Sequence, residues 1–356
     1  MTSDKQKNSN LKKYLGFIFP ILLMLLFLFL AFEEVDFKTV FQILSKLSIS
    51  WFVLFLLAFF LSHFLRALRW KTMLKSTKPD ASVLNLFGAT MIGYGLNSII
   101  PRLGELYRGF FAGKWENISR SAVLGTIIVE RVIDILALGF SVLISVMIFK
   151  GDLYSKVVWL KSTVYFGFIS IFLVITILFL LVKFKAKFYS LIVKSVGKIS
   201  EKLASKLAYI FEMLIEGFST IRGTSNYIWV IIYSILIMFN YGLTAELGFY
   251  VLNLQDSFEI NYSMAWIVMT ISAFGVVIPT PGGTGTYHFI GISTLVSLFA
   301  FTNEAASAYV LLTHTVSMFS FITSMFLFMG YINDKRAKMG FPKENFFSVI
   351  KGGKTE

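Results

Sequence analysis

Six stretches of this sequence, at about 15–32, 50–68, 121–149, 163–182, 226–252 and 306–332, are apolar for long enough to cross a hydrocarbon core ~30 Å thick. Nothing else constrains the fold as strongly. In lipid every backbone N–H and C=O must find its partner within the chain, which leaves helices or a closed barrel, and these runs are continuous rather than alternating with period two. The expected fold class is an all-α polytopic membrane protein. A content of 56% hydrophobic and 15% charged residues over 356 positions agrees, being too apolar for one ordinary soluble domain.

Two further apolar regions, 82–118 and 262–300, are interrupted in the middle by proline and glycine. Orientation decides what such regions do. Lysine and arginine gather at the N-terminus (Lys5, Lys7, Lys12, Lys13), in 69–78, in 183–206 and in the tail 335–343, which places all four on the cytoplasmic side. The segments with Glu33, Glu34 and Asp36 and with Asp256 and Glu259 fall outside. The loop with Lys150, Asp152, Lys156 and Lys161 is placed outside too, because the seven lysines between 183 and 206 outweigh it. Both ends of 82–118 then lie inside and both ends of 262–300 outside, so each region must turn back. The first breaks near Asn97 to Pro101, the second at Pro279, Thr280, Pro281, Gly282 and Gly283.

The expectation is about six full crossings plus two re-entrant helical hairpins in an inverted-topology repeat, with full down-and-up pairs as the alternative to re-entry. A first membrane half, 1–182, holds the cytoplasmic-side hairpin 82–118. A basic amphipathic connector, 183–225, lies along the inner interface. The remainder, 226–356, joins the span 163–182 in a second half with the outer-side hairpin 262–300 and a cytoplasmic tail. The run 15–32 lacks a small-residue cleavage site and reads as a retained span rather than a removed signal peptide. Both termini are expected in the cytoplasm. Paired broken helices in corresponding positions of two inverted halves point to a transport site near the midplane.

The chemistry gathers at those breaks. Pro101 suits the first turn of a returning helix, and Arg102, Glu105 and Arg108 follow at three-residue steps along one face of it. A helix N-terminus there offers free N–H groups and partial positive charge to a phosphate or carboxylate, with Glu105 holding an arginine in place. The alternative is a salt-bridged ladder that only orients the hairpin. In the next crossing Glu130, Arg131 and Asp134 fall about halfway through the core, where each charge costs at least ~2.5 kcal/mol, so they must pair and face protein or water. They either handle substrate or protons, or lock the span against the first hairpin. In the second hairpin Pro279 and Pro281 stop one helix, Gly282, Gly283 and Gly285 permit tight turns, and a helix starting near Thr284 aims a second N-terminus at the break. A phosphate-loop reading of these glycines fails for want of a preceding strand and a lysine. Arg66 and Arg69 beside Trp70 read as inner-interface anchors, and Glu246 is a weak candidate for a proton site.

Composition excludes other classes. The charge of +13 sits in short segments between apolar runs, which fits anionic headgroups rather than nucleic acid. With no cysteine there is no disulfide, thiolate nucleophile or zinc-thiolate site, and His63, His288 and His314 stand alone in their segments, so they read as structural and no metal or cofactor is expected.

The motifs RALRW (Arg66 to Trp70), N-x-x-x-P-R-L-G-E-x-x-R (Asn97 to Arg108), E-R-x-x-D (Glu130 to Asp134) and P-T-P-G-G-x-G (Pro279 to Gly285) occur in this order over nearly the whole chain. In them the sequence resembles the transmembrane region of lysylphosphatidylglycerol synthase/flippases and their stand-alone relatives. The resemblance implies a prokaryotic inner-membrane protein that moves lipids between leaflets or supports that step, with hairpins from inverted halves meeting at a central cavity. No aminoacyl-transfer domain follows the membrane region, so lysine transfer is not expected and the chain is not read as an enzyme.

The expected activity is therefore that of a lipid translocase for an anionic or phosphate-bearing lipid, with its headgroup bound among Asn97, Arg102, Glu105, Arg108, Glu130, Arg131, Asp134, Pro281, Gly282, Gly283 and Gly285. Membrane lipids are its partners, nucleic acid is not, and homo-oligomerisation is left open. The rival readings are an intramembrane transferase acting on a polyprenyl-phosphate lipid, a small-solute transporter and a structural partner.

Overall fold

The computed structural model describes residues 18–149, 224–350 and scattered positions between 155 and 212. The run 163–182 and the connector 183–225 lie largely outside the described residues. All regular structure among the described residues is helical. In chain order, α1 is Ile18–Phe32 and α2 Phe37–Leu44. They are followed by α3 (Ile49–Leu74), α4 (Val83–Ile99), α5 (Gly104–Glu116) and α6 (Arg120–Ile148). After the connector come α7 (Thr224–Val251), α8 (Tyr262–Val277), α9 (Thr286–Phe299) and α10 (Asn303–Ala337).

Four of these, α3, α6, α7 and α10, are each long and apolar enough to cross a membrane. A fifth crossing is α1 with α2 if that pair counts as one span, since the chain bends by 89° between them. The bend falls where Glu33, Glu34 and Asp36 interrupt the apolar run, and Asp36 caps α2 by accepting from the Lys38 amide at 3.0 Å. Polar caps start the other helices in the same way. Ser82, Ser119, Asn261 and Thr302 each accept a hydrogen bond from the amide three residues on, at the heads of α4, α6, α8 and α10. Large apolar side chains such as Leu57, Phe239, Phe319 and Leu327 are more than half exposed on the outer surfaces of α3, α7 and α10, which is the expected dress of a lipid-facing surface. The chain is an integral, multi-pass membrane protein.

The two broken regions are helix pairs. In the first, α4 and α5 pack on each other so closely that a Cβ on Gly104 would collide with the carbonyl of Gly93. In the second, α8 and α9 close on Gly275, where a Cβ would lie 2.7 Å from the backbone N and Cα of Tyr287. The returning limbs start later than the sequence indicates. α5 begins at Gly104, leaving Pro101, Arg102 and Leu103 in a turn, so Arg102 does not share a helix face with Glu105 and Arg108; its backbone is left-handed, φ 64°. α9 begins at Thr286, behind a short 3-10 turn at Pro281–Gly283.

Packing between the elements is reciprocal. α3 lies along α7; α4, the first limb of the first pair, packs on α10; α8, the first limb of the second pair, packs on α6. The buried apolar side chains form two main bodies, one built around each pair. Leu86, Ile92, Phe111 and Trp115 of the first pair join Trp70 and Ile332. Met264, Val268, Ile292 and Leu295 of the second join Phe55, Phe249 and Tyr309. The two apices meet between these bodies, where a Cβ on Gly282 would stand 3.2 Å from the Cα of Ser98.

Beyond α10 the tail folds back as a strap. Asn333 grips Glu344 through both backbone groups (2.6 and 3.1 Å), Phe346 packs edge-on against Tyr107 and Phe111 of α5, and Arg120 donates to the Val349 carbonyl at 2.6 Å.

Candidate functional site

The charges that the sequence places deep in α6 are paired, and their partners come from two other helices. Glu130 has no exposed surface. It accepts two parallel hydrogen bonds from the Arg108 fork of α5 (3.1 and 2.8 Å) and one from Arg66 of α3 at 2.6 Å. Asp134, one turn on, accepts from Arg66 at 2.7 Å and from Arg69 at 2.6 Å. Charge-assisted, forked bonds of this length are the strong kind, and several acceptors per arginine offset the cost of taking the charges out of water. Arg131 reaches Glu130 and Asp134 only at 3.5 Å each, and its side chain is 37% exposed.

Arg66 and Arg69 therefore correct the reading of α3. They are not surface anchors: they are 5% and 1% exposed and tie α3 to α6, with Arg66 also donating to Tyr241 (3.1 Å) and Arg69 to Ser234 (3.0 Å) of α7. Trp70 is equally buried. Its ring carries the Arg108 guanidinium at 3.9 Å, and its indole N–H donates to Thr126 at 2.9 Å. The signal that sequence reasoning passed over is the spacing itself, since Arg66, Arg69 and Trp70 at i, i+3 and i+4 share one face of the helix.

Glu105 also departs from the expectation, since it holds no arginine among the described residues. It accepts instead from the Asn97 side-chain amide at 3.2 Å, while the carbonyl oxygen of Asn97 accepts from the Gly104 amide at 2.7 Å. Asn97 thus reaches across the break and satisfies an otherwise free N–H in the first turn of α5. Arg102, exposed at the apex, makes no hydrogen bond or ion pair among the described residues.

A cavity of about 670 Å³ opens between the two apices and α3, α6, α7 and α10. Of the sequence-predicted residues, Asn97, Arg102, Glu105, Arg131, Asp134, Gly282 and Gly283 line it. Glu130, Arg108, Pro281 and Gly285 are not part of its wall. The first two lie behind it, and Gly285, with φ 86°, is pressed against the backbone of α1, where a Cβ would stand 2.5 Å from the Met24 carbonyl. Arg66, His63, Tyr94, Tyr241, Tyr287, Tyr309 and His314 also line it and were not singled out as site residues from the sequence. His314 donates to the Gly282 carbonyl at 3.0 Å and meets His288 with ring centroids 4.6 Å apart, so two histidines that stand alone in sequence are neighbours in space. Glu246 is not among the lining residues. No group of three or more potential metal-ligating side chains occurs among the described residues.

The cavity wall is mostly apolar, and three of its members, Ile135 of α6 and Val276 and Val277 of α8, are about 60% exposed. The charged cradle and the apolar wall occur together within the segment 17–324, and that segment matches the family described as the lysylphosphatidylglycerol synthase TM region. The chain belongs to this family. Within the curated proteins it is similar to a UPF0104 membrane protein of Methanocaldococcus jannaschii, 26% identical over 83% of this chain and 90% of that protein. A second one from the same organism is 28% identical over 64% of this chain and 89% of its own length. A UPF0104 membrane protein of Pyrococcus horikoshii is 30% identical over a shorter stretch, 35% of this chain and 38% of that one. No solved structure matches the chain. As a member of the lysylphosphatidylglycerol synthase TM region family the protein has a membrane, lipid-related setting. The family match runs from before α1 into α10, so it takes in both helix pairs and the cavity and stops short of the tail strap.

Proposed function

We propose that this chain is a lipid translocase that moves an anionic, phosphate-bearing lipid between the leaflets of a prokaryotic inner membrane. One observation carries the reading: an arginine-rich cradle, with cation in excess of carboxylate, faces a largely apolar cavity whose wall includes the exposed Ile135, Val276 and Val277. A headgroup brings the missing negative charge, and its acyl chains stay in the bilayer past Ile135, Val276 and Val277. Arg102 and Arg131 contact the headgroup. Arg66, Arg69 and Arg108, already bonded to Glu130 and Asp134, hold the cradle in shape.

In this reading the two helix pairs are re-entrant. Their limbs of 17, 13, 16 and 14 residues rise ~20–25 Å, less than the ~30 Å hydrocarbon core. The reciprocal packing of α4 on α10 and α8 on α6 supports an inverted repeat of the two halves, with both termini cytoplasmic. Because the chain has no cysteine, Ser119→Cys and Thr302→Cys can each be probed with an impermeant reagent. Labelling of the first from the cytoplasmic face only and of the second from the outer face only is the expected result.

The activity is tested by a leaflet-resolved assay in liposomes with fluorescent anionic lipids. Arg102→Ala and Arg131→Ala are expected to lower the rate at least about tenfold with the protein still folded. Unchanged movement of every anionic lipid tried would defeat the proposal.

A further inference from the structure

The charges around the cavity do not balance. Among the described residues, Arg66, Arg69, Arg102, Arg108 and Arg131 face only Glu105, Glu130 and Asp134, an excess of two positive charges. The excess can be assigned to particular side chains. Glu130 and Asp134 already accept from Arg66, Arg69 and Arg108 at 2.6–3.1 Å. Arg131 is left at 3.5 Å from both with its side chain partly exposed, and Arg102 has no partner among the described residues. Arg102 also holds a left-handed backbone, φ 64°, a conformation that bulky side chains rarely adopt. Strain of this kind tends to persist where it places a group for use. Both loosely held guanidinium groups line the same cavity.

Beside apolar walls such an excess is screened less than in bulk water, so a ligand that supplies the balancing charge gains most there. A phosphodiester headgroup brings one negative charge, whereas a terminal phosphate monoester brings about two near pH 7 and three oxygens free to meet planar guanidinium forks. We propose that the cavity selects lipids ending in a phosphate monoester over phosphodiester lipids, with Arg102 and Arg131 as the residues that read the second charge. The inference rests on the translocase reading above and narrows its substrate class.

Competition binding to the purified full chain in nanodiscs tests it, with native mass spectrometry to count bound lipids. The probes are phosphatidic acid and a polyprenyl phosphate as two monoesters, phosphatidylglycerol as the diester and phosphatidylcholine as the net-neutral control, all at about pH 8, where the monoester is fully ionised. At least one monoester is expected to bind roughly tenfold or more tighter than phosphatidylglycerol, and the tighter of the two identifies the lipid that carries the phosphate. Arg102→Gln and Arg131→Gln should each bring that preference to within about threefold while phosphatidylglycerol still binds, and Arg131→Lys should retain it. Equal binding of mono- and diesters overturns the inference, and so does a preferred stoichiometry of two phosphatidylglycerol molecules per cavity. If no anionic lipid outcompetes phosphatidylcholine, the translocase reading itself fails along with it.

Discussion

The two helix-break-helix regions share their construction and differ in their chemistry. Each closes its limbs on a glycine, Gly104 against Gly93 in one and Gly275 against Tyr287 in the other, where any Cβ would strike backbone. At the apex they part. The first carries Arg102 and Glu105 and secures its returning helix with a side chain, Asn97. The second carries no charge between Pro279 and Tyr287, and turns on three glycines with positive φ, with His314 bonded to one of their carbonyls. The lesson is that limb packing and apex chemistry are separable. The limbs need a close approach that any hairpin needs, whereas the charge sits on one side of the cavity, facing α6.

That separation can be broken at several points. Glu130→Ala should have the largest effect. It leaves Arg66 and Arg108 without their shared acceptor in a dry site, and losing one partner of a buried ion pair costs about 3–5 kcal/mol, so little monodisperse protein should survive size-exclusion chromatography in detergent. No substitution at the uncharged second apex should approach this.

Next, Gly104→Ala and Gly275→Ala should each destabilise by about 1–3 kcal/mol, read as a fall in Tm in the same detergent. Similar losses sharpen the view that limb packing is common to both pairs, and a large loss at only one of them breaks it. Asn97→Ala follows at about 1 kcal/mol, the usual worth of a lost cap, and has no counterpart in the second pair. Arg102→Ala, at an exposed site without a partner among the described residues, should leave stability within about 0.5 kcal/mol of the parent, read as a nearly unchanged Tm, while lipid movement falls.

The smallest effect belongs to the tail strap that braces only the first pair. The hydrogen bond from Lys343 is the main cause that holds the Asp334 carboxyl below its ordinary value. A carboxylate depressed in this way contributes stability above its unfolded pKa and loses it as pH falls through the folded value. Asp334 is fully exposed, so Asp334→Asn should lower Tm only slightly at neutral pH, and that small gap should close as the pH falls and the parent carboxyl is protonated.

Much of this architecture was legible from the sequence because lipid allows so few solutions. The limits 82–118 and 262–300 fall within a residue or two of the two helix pairs, since proline, glycine and capping residues mark both ends and the break. The crossing at 50–68 is cut short because Arg69 reads as the edge of the membrane, yet α3 continues to Leu74 with Arg66 and Arg69 buried. Their acceptors lie more than sixty positions away on α6, and a single helix read alone does not show what will neutralise it. The same holds for His288 and His314, which only tertiary packing makes neighbours. The left-handed turn at Arg102 was hidden for a different reason: Pro101 is as good a helix start as the sequence offers, and the Asn97 cap that moves the start to Gly104 spans the break.

The pairing of α3 with α6 also has a consequence for how the protein is made. Synthesis delivers Arg66 and Arg69 to the membrane long before Glu130 and Asp134 exist, and each unpaired arginine at depth costs about 2.5–3.5 kcal/mol on insertion. The end of α3 is therefore poorly housed in lipid by itself. It becomes comfortable when α6 arrives bringing both carboxylates, with α5 and its Arg108 directly ahead of it. The ion cluster is thus expected to couple these helices during biogenesis, with α3, α5 and α6 leaving the insertion machinery as an assembled group rather than one helix at a time.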